Sequence, residues 1–281
     1  MHESGAGADP AAKPGQLESA ARGEPPARAI DWRPGPIDRR LVSLVAPATF
    51  EAEQYRSLRH VLESRRGEMD VIAVTSAVPK EGKTTTAINL AGALAQDVTA
   101  RILLVDADLH MPSVARLVGL GDSSPGLTGA VRSPAVDFEE FVKRLPGSRL
   151  AVLPAGPPPE DPHEVVRSPR LAEVIDEARQ RYDSVVVDTP PLVPVSDNRV
   201  LAGCIDAFLV VVAAHRTPRR LVEEGLRLVD PAKLLGIVFN QDVRMSSEYR
   251  GYYGRYGRTR DEVRAESAQR PARTKAVAAC R

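Results

Sequence analysis

Six apolar runs recur along the chain: Val71–Thr75, Ile102–Val105, Leu150–Leu153, Ser184–Val187, Ala207–Val212 and Leu235–Phe239. Each is nearly continuous rather than alternating, which predicts strands buried on both faces of a parallel sheet. Longer amphipathic stretches fall between them. The spacing predicts helices that include Thr84–Ala95, Pro169–Arg181 and Pro218–Val229. Strand–helix alternation of this kind predicts an α/β fold with a mostly parallel central sheet and helices on both faces. The pattern fails at both ends. Residues 1–38 hold six Pro and five Gly with few large apolar side chains, the composition of a disordered segment. Residues 39–243 carry the alternation and form the predicted domain. Residues 244–281 read as a flexible polar tail, and no internal repeat is visible.

The first apolar run leads into Ser76-Ala77-Val78-Pro79-Lys80-Glu81-Gly82-Lys83-Thr84-Thr85. An apolar strand, a tight polar turn and Gly-Lys-Thr opening a helix lay out a phosphate-binding loop of the P-loop NTPase kind. Successive backbone N–H groups and the positive end of the helix form an anion cradle. Lys83 is placed to reach the β- and γ-phosphates, and the Thr84 hydroxyl to hold Mg²⁺. Pro79, Lys80, Glu81, Gly82, Lys83, Thr84 and Thr85 are the candidate nucleotide-binding residues, with ATP and Mg²⁺ as the expected ligands. The strict spacing Gly-x4-Gly-Lys-Ser/Thr fails at its first position, which is Ala77.

Two further runs end in acids, at Val105-Asp106-Ala107-Asp108 and at Val187-Asp188. Ligands of open α/β sheets bind at the carboxyl ends of the strands. Asp106, Asp108 and Asp188 are therefore expected beside the loop, where hard carboxylate oxygens suit Mg²⁺. Each Asp alone has a plainer explanation as a turn former or helix N-cap. All three after one Gly-Lys-Thr loop are poorly explained that way.

Composition narrows the class. The 281 residues, 43% hydrophobic, suffice for one full α/β core. A net charge of +1 provides no global field for nucleic acid. Cys204 and Cys280 offer neither a disulfide framework nor metal-ligand spacing, as suits a reducing cytosol. No apolar run approaches the roughly 18–20 residues of a membrane span, and the polar N-terminus has no signal-peptide pattern. A cytoplasmic location is expected. In the tail, Tyr249, Tyr252, Tyr253 and Tyr256, four of the chain's six tyrosines, are interleaved with Gly and Arg. Such a segment is either a set of phosphoacceptor hydroxyls on a tether or an aromatic-basic strip that stacks on nucleic acid. Its attachment to an ATP site without a hydrolase base favours the acceptor reading.

Taken in order, these motifs resemble the bacterial tyrosine kinase family, of the cytoplasmic, separately encoded CpsD/CapB type. The resemblance spans about residues 37–257. It rests on Pro79–Thr84, on Val105–Ser113 as an extra acidic motif, on Val187–Pro191 as a second acidic strand, on Glu53-x-x-Arg56-x-x-Arg59 and on the tyrosine cluster. The resemblance implies that Lys83 clamps phosphates, that Thr84, Asp108 and Asp188 organise Mg²⁺, and that Asp106 takes the proton of the acceptor tyrosine. It also implies an adenine-side role for Asn240, and self-association into a ring through Glu53, Arg56 and Arg59, with each tail entering a neighbour's site. Further implications are a membrane-anchored polysaccharide co-polymerase as activator, which would recruit the chain to the inner face of the membrane, a cognate tyrosine phosphatase, and control of exopolysaccharide or capsule production. No nucleic-acid partner is expected.

The sequence departs from the family pattern in three places. Lys80 stands where glycine is most frequent; His110 and Met111 occupy positions that often carry arginine; and 24 residues follow Gly257, the end of the tyrosine cluster segment. From Arg244 onward, ten Lys or Arg face four Asp or Glu, a sign that suits an acidic, phosphate-filled site. Two other readings share the loop and acids: a ParA/MinD-type ATPase switch, and a regulator that only binds ATP. The switch proteins carry a signature lysine five residues before the loop lysine, a position held here by Val78.

Overall fold

The computed structural model describes residues 35–65, 67–121 and 124–242. The predicted N-terminal segment up to residue 34 and the acceptor candidates Tyr249, Tyr252, Tyr253 and Tyr256 lie outside the described residues. In chain order the elements are α1 (Val42–Val45), α2 (Phe50–Glu63), β1 (Val71–Ser76), α3 (Lys83–Leu94), β2 (Ile102–Asp106), α4 (Val114–Leu117), α5 (Gly126–Arg132), β3 (Lys143–Arg144), β4 (Leu150–Leu153), α6 (Pro162–Arg167), α7 (Pro169–Arg181), β5 (Ser184–Asp188), α8 (Asp197–Leu201), β6 (Ala207–Ala213), α9 (Arg219–Leu226) and β7 (Leu234–Asn240).

The six expected strands are present and join one sheet in the order β3-β4-β2-β5-β1-β6-β7. All neighbours are parallel except β3, which runs antiparallel to β4. β3 is two polar residues long, too short to leave an apolar signature. β1, β2, β5 and β6 are buried along their whole length, as continuous apolar runs require. β7 differs from that expectation. It lies at the sheet edge with alternating exposure, and Phe239 is 69% exposed.

Helix boundaries follow local chemistry. The Ser168 side chain caps α7 by accepting from the Arg170 N–H, and Pro169 occupies the first turn, where its missing donor costs nothing. Leu171, Val174, Ile175 and Ala178 then fall on one stripe and bury against the sheet. α9 is shorter than expected. It starts after Pro218, whose extended backbone caps it, and ends at Leu226.

α3 is buried almost all round because α1 and α2 cover its outer side. Asn89, fully buried in α3, accepts from the Ser43 N–H at 2.9 Å and donates to the Arg40 carbonyl at 3.0 Å, pinning α1. A side chain at Gly92 would meet Leu44 Cδ2 at 2.9 Å, so this glycine permits the close approach.

The expected association motif lies on α2. Arg56 Nε donates to Glu53 Oε2 at 2.8 Å, while Arg59 turns away, with Nε on Glu63 Oε1 at 2.6 Å and Nη1 on the Ala93 carbonyl at 3.1 Å. Arg59 thus ties α2 to the last turn of α3, at a carbonyl that also accepts from the Gln96 N–H. Arg59→Ala should lower stability by about 1 kcal/mol in urea unfolding, at every protein concentration. Unchanged stability together with a smaller assembly mass would instead make Arg59 an intersubunit contact.

Candidate functional site

β1 ends at Ser76, and the chain turns through Ala77–Gly82 into α3. Three anchors shape that turn. The Glu81 carboxylate is buried and points away from the loop's anion-facing side. Its Oε2 accepts from the Val78 N–H at 2.9 Å, and its Oε1 accepts from the Ala213 N–H at 3.2 Å and from the Thr217 hydroxyl. Asn240, at the end of β7, donates to the Glu81 carbonyl at 2.9 Å, and Gln241 Nε2 donates to the Lys80 carbonyl at 3.2 Å. The ends of β6 and β7 therefore hold the loop in shape. Glu81 acts through its backbone and as a brace, and Asn240 is a brace in this structure.

The loop backbone turns left-handed twice, at Lys80 (φ +68°) and at Gly82 (φ +93°). Glycine is favoured at Gly82 by its left-handed backbone, and a Cβ there would sit 2.1 Å from Asn240 Nδ2 and displace that side chain from the Glu81 carbonyl. Lys80 carries the strain expected where glycine is usual. Pro79 and Lys80 are exposed, and Thr85 is half-buried one turn into α3.

The sheet order sets the acids. β5 lies between β2 and β1, with Asp106 opposite Asp188 in register and Asp188 opposite Val74. Asp106, Asp108 and Asp188 are 1%, 3% and 0% exposed. Lys83, at the first position of α3, reaches across with Nζ 2.6 Å from Asp108 Oδ2, 3.7 Å from Asp188 Oδ1 and 3.4 Å from Thr84 Oγ1. Asp106 is held differently. Its Oδ2 accepts from the Ser113 and Val114 N–H groups at 3.1 and 3.0 Å, and its Oδ1 from the Asp108 N–H at 3.3 Å. The structure therefore brings Lys83, Thr84, Asp106, Asp108 and Asp188 together as the sequence predicts.

One ammonium faces three buried carboxylates, and the protonation states respond. Burial, then the Asp188 charge, pushes Asp106 well above the usual carboxylate range. Burial also raises Asp188, against the opposing pull of Lys83, to about 6. For Lys83, burial works against the charged form, but Asp188 and Asp108 outweigh it and its pKa rises. Neither oxygen of Asp188 takes a hydrogen bond among the described residues. A buried carboxylate left in this state, beside a lysine ammonium standing where a cation would stand, fits a site built for Mg²⁺.

Residues 72–250 match the CobQ/CobB/MinD/ParA nucleotide binding domain. The fold and site thus define a P-loop nucleotide-binding domain. The tyrosine-protein kinase YwqD of Bacillus subtilis is 34% identical over 223 residues, covering 78% of this chain and 92% of YwqD. The succinoglycan biosynthesis transport protein ExoP of Rhizobium meliloti is 34% identical over 229 residues, covering 75% of this chain and 29% of ExoP. The kinase domain of Escherichia coli tyrosine kinase ETK superposes with a TM-score of 0.69 at 25% identity, covering 77% of this chain and 84% of that one. The chain belongs to the bacterial tyrosine kinase family, of the CpsD/CapB type.

Two substitutions test this geometry. Lys80→Gly should raise stability by about 1–2 kcal/mol in urea unfolding, the cost of a left-handed side-chain residue; a loss would mean the Lys80 side chain makes a contact of greater value. Asp188→Asn tests the buried charge. With the Asp188 pKa raised, its ionisation costs the folded state nothing below the unfolded value near 4, a growing amount up to about 6, and the full amount above. Relative to the parent, the variant should gain on the order of 2–3 kcal/mol between pH 4 and pH 7. A relative loss over that window would show that the Lys83–Asp188 pair outweighs the burial penalty.

Proposed function

We propose that the chain is an ATP- and Mg²⁺-dependent protein-tyrosine kinase that autophosphorylates Tyr249, Tyr252, Tyr253 and Tyr256 in trans and thereby regulates exopolysaccharide or capsule biosynthesis. The observation that carries this reading is the buried cluster of one lysine and three carboxylates at the mouth of a braced phosphate loop. Phosphoryl transfer asks a protein for charge neutralisation and in-line positioning rather than covalent help. The N–H groups of the loop and the start of α3 cradle the phosphates. Lys83 swings from Asp108 to those phosphates. That movement frees Asp108, with Asp188 and the Thr84 hydroxyl, to hold Mg²⁺. When bound, the ion neutralises charge developing on the transferred group.

Asp106 is the proton acceptor in this proposal. It lines a cavity of about 310 Å³ together with Pro112, Ser113, Arg116 and Pro154. A tyrosine side chain entering there meets a carboxylate oriented by two backbone donors. The raised proton affinity of Asp106 narrows its gap to a phenol, whose usual pKa is near 10. The Glu53–Arg56 pair of α2 offers a surface for ring assembly. A membrane-anchored polysaccharide co-polymerase is the proposed activator, supported by ExoP, in which a similar segment forms part of a longer transport protein. A tyrosine phosphatase resets the tail. No helix among the described residues is long and apolar enough to cross a membrane.

Purified chain given ATP and Mg²⁺, followed by phosphotyrosine mapping, tests the reading. Asp106→Asn should slow labelling by about 10²-fold or more, as for loss of a general base, while nucleotide still binds. Labels should fall on the four tail tyrosines and miss Tyr182, which is 5% exposed, and Tyr55, whose hydroxyl is raised by burial. A wild-type rate for Asp106→Asn would remove that residue from catalysis, and ATP hydrolysis without phosphotyrosine would point to a ParA/MinD-type switch.

A further inference from the structure

A second set of chemistry-bearing side chains converges beside the carboxylate cluster, from three separate segments. His110 lies on the loop after β2, His163 in the first turn of α6, and Asp197 at the first position of α8. His110 Nε2 is 2.9 Å from Asp197 Oδ2, and His163 Nδ1 is 2.5 Å from Asp197 Oδ1. The two imidazole planes meet at 68° with centroids 5.3 Å apart. One ligand atom from each of the three residues falls within 4.8 Å of the others. The Asp197 side chain is 1% exposed, whereas those of His110 and His163 are 29% and 50% exposed. Both imidazoles border a cavity of about 510 Å³, whose wall also includes Pro194, Asn198 and Glu224. Asn198 is 5% exposed, and its Oδ1 has no hydrogen-bond partner among the described residues.

We propose that His110, His163 and Asp197 form a three-ligand site for a divalent cation of the zinc class, distinct from the Mg²⁺ position at Asp108 and Asp188. The donor set decides the class. Two imidazole nitrogens and one carboxylate oxygen suit zinc, whereas Mg²⁺ prefers oxygens throughout. Zinc bonds of about 2.0–2.2 Å in a tetrahedron place ligand atoms about 3.3 Å apart. His110 and His163 now meet different oxygens of Asp197, so a single ligating oxygen keeps one of these contacts, lengthened by less than 1 Å, and the other nitrogen, which lies within 4.8 Å, closes towards it. A metal takes the unprotonated nitrogen of a neutral imidazole, so binding requires the tautomer of His110 with its proton on Nδ1 and that of His163 with its proton on Nε2. The fourth position faces the cavity, open to water or to a donor atom from a bound molecule.

The arrangement bears on the neighbouring cluster through short connections. The Met111 N–H, next to His110, donates to Asp108 Oδ1 at 3.1 Å. Asn198, next to Asp197, donates through Nδ2 to the Pro190 carbonyl at 2.7 Å, on the loop that leaves Asp188. A cation held by His110 and Asp197 would therefore pin together the segments that follow β2 and β5.

The full chain, stripped of metal and held in saturating Mg²⁺ to occupy the carboxylate cluster, is titrated with Co²⁺ and then with Zn²⁺. One equivalent of Co²⁺ with four-coordinate visible absorption, displaced by Zn²⁺, is the expected result. His163→Ala should weaken that binding by more than about 10-fold, because even loss of an outer-shell partner of a metal ligand costs 10–100-fold. His163 is half-exposed and Asp161 caps its helix, so the variant retains the fold. His60→Ala, on an exposed face of α2, should bind as the parent does. Zn²⁺ should raise the melting temperature of the parent and not that of His163→Ala. Absence of uptake under saturating Mg²⁺, or uptake equal in the parent and His163→Ala, overturns the site.

Discussion

One buried lysine opposite three buried carboxylates is the constraint around which this molecule is organised. Lys83, Asp106, Asp108 and Asp188 are each 9% exposed or less. Removing four charged groups from water is costly, and one ammonium cannot satisfy three carboxylates. The protein tolerates the imbalance because the paired strands β2 and β5 deliver Asp106, Asp108 and Asp188 to one edge of the sheet, and the loop after β1 brings Lys83 there at the start of α3. In the function proposed above, the imbalance is what a divalent cation and phosphates entering together would relieve, and a well-neutralised site would have no affinity to spare for them.

The phosphate loop is held from behind rather than by its own sequence. Glu81 links the loop to the end of β6, Asn240 links it to the end of β7, and Gly82 provides the clearance that lets Asn240 approach. These braces over-determine the backbone, which allows Lys80 to persist at φ +68° despite its side chain. Strain at a functional loop survives where surrounding contacts leave no alternative. The same braces make β7 more than an edge strand. Its last residue, Asn240, sits against the loop, next to the exposed Phe239.

The helices that cover α3 extend this logic outward. Asn89 holds α1 and Arg59 holds α2, so the helix that begins with Lys83 is clamped along its length. A rigid α3 keeps the direction of its N-terminal N–H groups constant, as anion binding by a helix end requires. Among the three residues expected to mediate self-association, Glu53 and Arg56 pair on the surface, while Arg59 contacts Glu63 and the Ala93 carbonyl of its own chain.

Much of this was written in local sequence. Continuous apolar runs marked all six main strands; in five of them the reason is burial on both faces, which admits almost no polar residue, whereas β7 carries its run at the sheet edge. Pro and Ser marked the start of α7. Asp106, Asp108 and Asp188 were expected together because parallel strands deliver their carboxyl ends to one edge. Tertiary structure alone decided the rest. The two-residue β3 has no apolar run to reveal it. Glu81 and Arg59 carry motif positions, yet only the neighbours they meet, Ala213 and Thr217 for one and Ala93 for the other, turn them into braces. Asp197 lies 87 residues from His110 in sequence. No spacing rule links them, since their meeting depends on the order in which the strands assemble. Periodicity is a property of one segment and can be read from it, whereas convergence is a property of the packed sheet and exists only after folding.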